Sequence, residues 1–365
     1  MILGLYLLAA AYSGAPGGQI AFVAGTGQGT RCACVLDLRS KSVRRVGPGG
    51  HDGAPRWSPD GVWLAFPSKY GEGMGIYVAR ADSAEGCFLN TSRRWNHRPV
   101  WSPDGKRLVF AASQEGTLAQ RLVVYDLASH TEAEWGGGRE GLLDAVWAPN
   151  LDLMRALDPE EKVTWEGLDT GVFLAEAAAE GALVAAGLTG TPGRLSTELY
   201  LVTRTQVAPL LAFLLPPGAS YAEWAPRPDP DGERFAFESN DGGDREIFVL
   251  GKRGIGDVSN HREADWSPVW SPDGGYLAFE SFRGGRRGIY AVYPETARVF
   301  AVAAGANYDC WAPDWSPDEE WLVYVSDRGG NPDLYVARRD GSETLRLTET
   351  TEAEYAPAWR PEQAE

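Results

Sequence analysis

Short apolar runs separated by polar turns recur along almost the whole chain. Runs such as Trp63–Phe66, Ile76–Ala79, Leu122–Tyr125 and Asp333–Val336 are too short for helices, and glycine-rich hairpins or Ser-Pro-Asp-Gly turns separate them. β-Branched and aromatic residues are frequent in these runs, as is typical of strands. The pattern predicts an all-β protein made of many short antiparallel strands.

A tryptophan followed by a tight turn marks a repeat. The phrase is clearest at Trp57, Trp101 and Trp270, and degraded copies begin at Trp147, Trp224 (with Pro230-Asp231-Gly232 displaced), Trp315 and Trp359. Successive tryptophans are 44, 46, 77, 46, 45 and 44 residues apart. A period of about 40 to 50 residues with several strands per unit is typical of a β-propeller blade. We therefore predict a seven-bladed β-propeller of four-stranded antiparallel blades.

The 77-residue interval leaves two alternatives open. It contains either an insertion at about residues 150–180, with a turn and a short helical stretch at 157–162, or an eighth, degenerate blade. The first blade lacks the tryptophan phrase, which reappears at Tyr355–Trp359 near the end of the chain. We expect that segment to pair with the strand at Ile20–Val23 and to close the ring, since this removes an open sheet edge.

The residues of the repeated phrase suit a structural role. Proline fixes the first corner of the turn, aspartate accepts hydrogen bonds from nearby N–H groups, and glycine tolerates a left-handed backbone. The tryptophan ring is large enough to wedge between adjacent blades. The strand that ends at the tryptophan is expected to be the innermost strand of its blade.

Charge and composition narrow the possible partners. The chain has 365 residues and a formal net charge of −16, which argues against nucleic acid, because proteins that bind it present a basic face. Of the four cysteines, Cys32 and Cys34 lie two apart on one strand face and are expected to be small buried residues. A bridge between Cys34 and Cys87 is the alternative in an oxidising compartment.

The first 17 residues are expected to be a leader that precedes a propeller at residues 18–365. The apolar run that begins at Ile2 is too short to span a bilayer, but its length suits a secretory signal, although no basic residue precedes it. We expect an exported, periplasmic protein that is not integral to the membrane, and a cytoplasmic location is the alternative.

Residues that differ between repeats are the candidates for function, because positions that recur in every repeat serve the fold. Such residues gather just before each tryptophan, where side chains of all blades would converge at the mouth of a central channel. The predicted binding residues are His51, Asp52, Trp95, Asn96, His97, Asp265, Trp266, Asp309, Trp311, Glu354 and Tyr355. Rings there would stack on sugars or cations, and carboxylates would orient polar groups.

The phrase Trp-Ser-Pro-Asp-Gly-x-x-Leu-Ala-Phe, with Ser-x-x-Gly-Gly and Asp-Leu-Tyr-Val downstream, resembles the repeat of TolB-type propellers over about residues 18–361. That repeat also occurs in oligogalacturonate lyases and in peptidases of the prolyl-oligopeptidase type, so it implies the fold more than a function. The resemblance does not include the α/β domain that precedes the propeller in TolB. The G-x-S-x-G motif of the peptidases does not occur in this sequence.

Two functions follow as expectations, and a third option is that the chain is one loose module of a larger assembly. The first is a non-enzymatic, monomeric scaffold that binds a peptide, protein or glycan at the channel mouth and needs no cofactor. The alternative is a metal-assisted polysaccharide lyase or hydrolase, which would require ligands such as His51, His97, Asp265, Asp309 and Glu354 to meet at one point. We assign no catalytic residue and no metal ligand. The basic hairpin Arg283–Arg287 and the pair Arg338 and Arg339 are interpreted as solvated turns.

Overall fold

The structure is a computed structural model that describes residues 16–25, 30–83, 85–93, 95–113, 119–148, 170–191, 194–210, 222–241 and 243–362. These residues form 28 strands and one helix, which confirms the prediction of an all-β protein. The chain divides into two compact units. We call Met1–Leu89 with Glu263–Glu365 the terminal unit, and Asn90–Arg262 the central unit.

The terminal unit contains four sets of four antiparallel strands within the described residues. The set made by both ends of the chain has the order β28-β1-β2-β3, with β1 Gln19–Gly25, β2 Arg31–Asp37, β3 Ser42–Arg45 and β28 Glu354–Trp359. The next consists of β4 Arg56–Trp57, β5 Trp63–Tyr70, β6 Gly73–Arg80 and β7 Gly86–Phe88. The other two are β20 Asp265–Trp270, β21 Leu277–Ser281, β22 Gly288–Tyr293 and β23 Arg298–Ala303, and β24 Cys310–Trp315, β25 Trp321–Ser326, β26 Asp333–Arg338 and β27 Thr344–Arg346.

The central unit contains three such sets in the part of the chain that the structure describes. They are β8 Trp95–Trp101, β9 Arg107–Ser113, β10 Arg121–Asp126 and β11 Thr131–Trp135; β12 Leu142–Ala148, β13 Ala182–Thr191, β14 Arg194–Val202 and β15 Val207–Pro209; and β16 Glu223–Pro228, β17 Phe235–Ser239, β18 Glu246–Gly251 and β19 Gly254–Asp257. In every set the strand that leads into the turn pairs with only one other strand of that set, and we call it the first strand. β28 is the first strand of the set that contains β1.

Apolar clusters join sheets that follow each other within a unit. In the terminal unit, Phe22 and Leu36 pack with Val323 and Leu334 of the neighbouring sheet, and all four side chains are fully buried. In the central unit, Leu122 of β10 packs with Leu183 of β13. Side chains from both faces of the middle strands are buried, which is why these strands read as continuous apolar runs rather than as alternating ones.

The Ser-Pro-Asp-Gly turn is held by its own side chains. Ser271 Oγ donates to Asp273 Oδ1 at 2.6 Å and accepts the N–H of Tyr276 at 3.0 Å. Gly274 has a φ of +70° and donates its N–H to the carbonyl of Ser271 at 2.9 Å. The predicted roles of the aspartate and the glycine are confirmed, and the serine adds the bond that leads the chain into the second strand.

The repeated tryptophan ties one sheet to the next. Trp57 Nε1 donates to the carbonyl of Ala358 at 2.9 Å, and Trp315 Nε1 donates to the carbonyl of Val269 at 3.0 Å. Each acceptor is the residue just before the tryptophan position of the preceding sheet. The prediction that the ring wedges between neighbouring sheets is confirmed within the terminal unit.

The two ends of the chain lie in one sheet. Residues of β28 and β1 pair antiparallel, with Trp359 opposite Ile20, Ala358 opposite Ala21, and Tyr355 opposite Val23. The predicted pairing of Tyr355–Trp359 with Ile20–Val23 is therefore confirmed. The C-terminal strand completes a sheet that the N-terminal strands alone would leave with three members.

One register prediction is wrong. Trp224 does not lead its turn, because β16 runs from Glu223 to Pro228 with a bulge between Trp224 and Arg227. The turn begins at Asp229, whose N–H donates to Arg234 O at 2.9 Å and whose Oδ1 accepts the N–H of Arg234 at 3.0 Å, as Ser271 does with Tyr276. Pro228 thus takes the tryptophan position, and Trp224 is the equivalent of Trp266.

A helix, α1 Thr170–Glu180, precedes β13 in the interrupted repeat. The apolar run that begins at Val172 lies in this helix, and Phe173 and Ala177 pack against Phe235 and Phe237 of the next sheet. The helical stretch expected at 157–162, like residues 149–169 as a whole, lies outside the described residues.

The four cysteines are free thiols, and Cys32, Cys34 and Cys310 are buried while Cys87 is exposed. The expected burial of Cys32 and Cys34 is confirmed, and the alternative of a Cys34–Cys87 bridge is not formed. Within the ranges given above, no helix combines the length and apolar character needed to cross a membrane.

Candidate functional site

On five first strands a buried residue is followed by a partly exposed ring. The pairs are Asn96 and His97, Glu223 and Trp224, Asp265 and Trp266, Cys310 and Trp311, and Glu354 and Tyr355. The first member of each pair is at most 3% exposed. The residue after each ring has a positive φ, between 47° and 56°, at a bulge in the strand. The bulge places a ring at equivalent points of these strands.

Asp52 is fully buried and bonded to two strands. Its Oδ2 accepts the N–H groups of Ala33 and Gly49 at 3.0 and 3.1 Å, and its Oδ1 accepts the hydroxyl of Ser68 at 2.5 Å. These bonds connect the sheet of β2 with that of β5. Its neighbour His51 has an exposed side chain.

Glu354 in the terminal unit and Glu223 in the central unit make equivalent hydrogen bonds to a backbone N–H group of a neighbouring sheet. Glu354 Oε2 accepts the N–H of Leu334 at 3.3 Å, and Glu223 Oε2 accepts the N–H of Leu199 at 3.0 Å. Thr348 also donates its hydroxyl to Glu354. Burial raises the pKa of each carboxyl to about 7, although these hydrogen bonds oppose the shift.

The basic hairpin Arg283–Arg287 was expected to be a solvated turn. The structure shows instead that its arginines pair with acidic side chains. The Arg283 side chain is 13% exposed, and its Nη2 lies 2.6 Å from Oδ2 of the fully buried Asp265. Arg286 holds Asp309 with two bonds, Nε to Oδ1 at 3.1 Å and Nη2 to Oδ2 at 2.6 Å. The arginines of this hairpin neutralise two of the predicted acidic site residues.

Two tryptophans of the terminal unit flank a third arginine of the hairpin. The guanidinium carbon of Arg287 lies 5.5 Å from the ring centre of Trp266 and 5.6 Å from that of Trp311. Arg287 also pairs with the buried Glu280, whose other oxygen accepts the N–H of Ala312 at 2.9 Å. Burial raises the pKa of Glu280, and Arg287 opposes that shift. The ion pair and the two cation–π contacts fix the orientation of both indoles.

Trp224, which holds a ring position and not the turn position expected from the sequence, has a similar setting in the central unit. Arg245 stacks on its ring at 4.4 Å, and Arg245 Nη1 lies 3.2 Å from the buried Glu238. Glu238 has the same place in β17 as Glu280 has in β21, and Arg245 directly precedes β18 as Arg287 precedes β22. The repeated Phe-Glu-Ser sequence at 237–239 and 279–281 is the signal that could have revealed this equivalence.

The other predicted residues differ in exposure. Tyr355 is 38% exposed, Trp95 and His97 are partly exposed, and Asn96 is buried with its Nδ2 donating to Thr91 Oγ1 at 3.0 Å. Burial, and then the charge of Arg98, lowers the pKa of His97. The structure thus places the acidic candidates among internal bonds and leaves the rings accessible, and their role in binding stays a prediction.

No group of three His, Cys, Asp or Glu side chains is arranged to hold a metal ion within the described part of the chain. A separate open pocket of about 390 Å³ lies in the central unit between the glycine loop 136–138 and the turn at Thr205–Val207. None of the predicted binding residues lines it.

Comparison with known proteins identifies the fold. No family model matches the chain. The Tol-Pal system protein TolB of Alcanivorax borkumensis is 36% identical over 64 residues, which cover 17% of this chain and 15% of that protein. The matched segments span less than a fifth of the length of the curated relatives.

Solved propeller structures superimpose on most of this chain. TolB from Acinetobacter baumannii superimposes with a TM-score of 0.57 at 17% identity, over 94% of this chain and 67% of that one. The β-propeller domain of the Trilobed protease from Pyrococcus furiosus gives 0.64 at 13% identity, over 92% of this chain and 96% of that one. The fold is that of a TolB-type β-propeller. At such identities the likeness to TolB-type propellers extends to the fold, and ligands do not follow from it.

Proposed function

We propose that this TolB-type propeller is a non-enzymatic scaffold that binds a peptide, protein or glycan on the rings of its first strands. The observation that carries the proposal is that, on five first strands, a buried residue is followed by a ring that solvent can reach. The acids are bonded inside the fold, whereas Trp266 and Trp311 keep part of their surface open and are held in place by Arg287. Rings fixed in advance lose little conformational freedom on binding, which favours affinity.

Two further exposed aromatic side chains support a site in the terminal unit. Phe282 is 41% exposed and its ring centre lies 5.1 Å from that of Trp266. Tyr355 is 38% exposed on β28. Large rings that reach solvent, such as Phe282 beside the fixed indole of Trp266, resemble the aromatic anchors of protein and carbohydrate interfaces.

Screening on peptide and glycan arrays, followed by Trp266→Ala and Trp311→Ala, tests this proposal. Removing a ring that carries binding is expected to weaken the retained ligand by roughly thirtyfold, since such anchors contribute about 2 kcal/mol. Tyr293→Ala is the matched control, because Tyr293 is 39% exposed in the same unit and ends β22, whereas Trp266 pairs with Glu280 opposite the start of that strand. Full binding by both tryptophan variants would mean that the rings serve packing.

The four sheets of the terminal unit and the three of the central unit are proposed to be seven blades of one closed ring. The pairing of β28 with β1 supports closure, and the repeat period supports the blade count. A compact particle of this length is expected to have a radius of gyration of about 21 Å by small-angle X-ray scattering. A value well above that would oppose a closed ring.

Export remains a proposal that rests on the apolar run beginning at Ile2. It is tested by expressing the full chain in a bacterial host and separating periplasm from cytoplasm. A shortened protein in the periplasmic fraction is expected, and full-length protein confined to the cytoplasm would oppose export.

A further inference from the structure

Two thiols lie side by side on strand β2 of the terminal unit. Cys34 Sγ donates to Cys32 Sγ at 4.0 Å, and both thiols are free. Residues two apart on a strand point to the same face, so the strand itself holds the pair together. Metal–sulfur bonds to cysteine are about 2.3 Å long, so one ion reaches two sulfurs that lie up to about 4.6 Å apart. The two sulfurs are therefore within reach of a single metal ion.

The backbone between the two thiols is fixed on both sides. The N–H of Ala33 donates to Oδ2 of the buried Asp52 at 3.0 Å, and the carbonyl of Ala33 accepts the N–H groups of Val46 and Gly47 at 2.9 and 3.1 Å. Strand β2 also pairs with β1 on one side and with β3 on the other. Ligands held by a rigid element lose little conformational freedom when they bind an ion.

The fold does not require a thiol at Cys34. In four other sheets, a ring of the second strand pairs with a ring of the third. These pairs are Phe66 with Tyr77, Phe237 with Phe248, Phe279 with Tyr290, and Tyr324 with Tyr335. Their ring centres lie 5.6 to 6.3 Å apart. In the sheet of β1 and β2, Phe22 pairs with Cys34, so a thiol stands where those four sheets have a ring.

The surroundings of the pair favour a thiolate at Cys32. The hydrogen bond from Cys34 lowers the pKa of Cys32, and the charge of Arg45 adds to this shift, whereas burial and the charge of Asp52 oppose it. Arg45 lies opposite Cys34 on the neighbouring strand β3. The thiolate is the form of cysteine that binds metals, because a thiol must lose its proton to coordinate an ion. One member of the pair is thus prepared for coordination.

The number and the chemical type of the ligands decide which ion fits. Among the residues that the structure describes, no third His, Cys, Asp or Glu joins the two thiols in a group that could hold a metal. Zinc in structural sites takes four ligands, so two thiolates do not satisfy it. Soft thiolate ligands select copper(I), which is stable with as few as two of them.

We propose that Cys32 and Cys34 bind one copper(I) ion as a pair of thiolates. Each thiol releases its proton, and two copper–sulfur bonds form without a change in oxidation state. Cys32 directly follows the exposed Arg31 at the start of β2, which is the side from which an ion would enter. The rings of the proposed function take no part in this site, so either proposal can fail while the other holds.

Competition with a coloured copper(I) chelator tests the proposal on the full chain. Protein with all its thiols reduced is added to the copper(I) complex of bicinchoninate, with oxygen excluded and ascorbate present. The protein is expected to remove one equivalent of copper(I) per chain, and X-ray absorption spectroscopy of the loaded chain is expected to show two sulfur neighbours. Failure to withdraw copper(I), or nitrogen and oxygen neighbours in place of sulfur, overturns the proposal. Zinc(II), followed with a zinc dye, is the second probe, and its retention as tight as that of copper(I) overturns the two-ligand site.

Four variants locate the ion. Cys32→Ala and Cys34→Ala are each expected to weaken copper(I) retention by at least about a hundredfold, since a single thiolate remains. Cys87→Ala removes an exposed thiol and Cys310→Ala a buried one, so both are matched controls that should retain the full equivalent. Copper(I) should also raise the thermal midpoint of the wild type and of both controls, but not that of the first two variants. Unchanged retention in Cys32→Ala and Cys34→Ala, or its loss in Cys87→Ala, overturns the assignment.

Discussion

At the scale of single residues, the buried acids before the rings satisfy backbone groups of a neighbouring sheet. Glu223 accepts the N–H of Leu199, and Glu354 shares the N–H of Leu334 with Thr348 Oγ1. A buried N–H without an acceptor destabilises a fold by an amount comparable to a lost hydrogen bond, so acceptors are needed at these places. A carboxylate that meets this need is kept in a dry site, which is the reason for its raised pKa.

The raised pKa of Glu354 predicts a pH dependence of stability. Its pKa is about 7 in the folded protein and 4.5 in the reference state, so the folded chain holds a proton that the unfolded chain releases. The stabilisation is complete below about pH 4.5 and is lost as the pH rises through 7, at up to about 1.4 kcal/mol per pH unit. In Glu354→Gln this loss should disappear, and urea unfolding at pH 5, 6, 7 and 8 measures it.

Glu223 remains in that variant and retains its own share of the slope, since its pKa is also raised to about 7. Glu85→Gln is the control, because the side chain of Glu85 is exposed. The wild-type slope should persist in the control. A Glu354→Gln protein whose stability still falls as steeply as that of the wild type would contradict the role given to this carboxyl.

The sequence could not divide the candidate residues into buried and accessible ones. Asp265 and Trp266 are adjacent on one strand, yet the acid is buried against Arg283 while the ring keeps contact with solvent. In globular proteins an acidic side chain is usually exposed and a tryptophan ring is usually more buried. The partner arginine lies 18 residues further on, in a hairpin whose composition is typical of a solvated turn.

At the scale of elements, the turn and the strand that precedes it were largely predictable. Proline, aspartate and glycine each have a local conformational reason to be there, so the turn at Ser271–Gly274 follows from sequence alone. The register of β16 did not follow, because Trp224 fills a ring position while Pro228 fills the position of the anchoring tryptophan. Because tryptophan occurs at two different positions of the first strands, its presence alone does not determine the register of a strand.

Ser271→Ala tests the turn. The substitution removes a fully buried hydroxyl that bonds both Asp273 and the N–H of Tyr276, so a loss of about 1–3 kcal/mol in the free energy of unfolding is expected. Ser342→Ala is matched to it, since Ser342 Oγ donates to Asp340 Oδ1 at 2.6 Å in an exposed turn. The control should change stability by no more than about 0.5 kcal/mol. Equal losses in both variants, measured by urea unfolding, would argue against the role of burial.

The two tryptophans of β24 are expected to have different roles. Trp315 stabilises the fold, and Trp311 is available for binding. Trp315 is 4% exposed and its indole donates to Val269 O, so Trp315→Ala should lower the free energy of unfolding by about 3–5 kcal/mol. Trp311 is partly exposed, and Trp311→Ala should cost less than half of that. Thermal and urea unfolding of the two variants provide the comparison. A larger loss in Trp311→Ala would reverse the two roles.

At the scale of the whole molecule, the repeat made the architecture predictable because each blade is a local unit with its own turn chemistry. The pairing of the chain ends followed from the absence of the tryptophan phrase at the start and its presence at the end. Helix α1 was missed because the short helical stretch of the predicted insertion was placed at residues 157–162 and not at Thr170–Glu180. Its sequence, with alanine at four of eleven positions, favours a helix and could have revealed it.

The sheet formed by both chain ends is the central claim of this account. Removing residues 353–365 deletes β28 and leaves β1 with a bare edge and an unpaired apolar face, so the thermal midpoint should fall by more than about 10 °C. Removing only residues 362–365 is the matched control, and it should leave the midpoint within a few degrees.

Adding back the missing strand tests the claim most directly. A synthetic peptide of residues 353–362 is expected to bind the shortened protein by strand addition and to raise its thermal midpoint towards that of the full chain. The same peptide with Trp359→Ala and Ala358→Asp should not do so, because both side chains are buried in β28. A shortened protein that unfolds at the same temperature as the full chain, and that ignores the peptide, would contradict the claim.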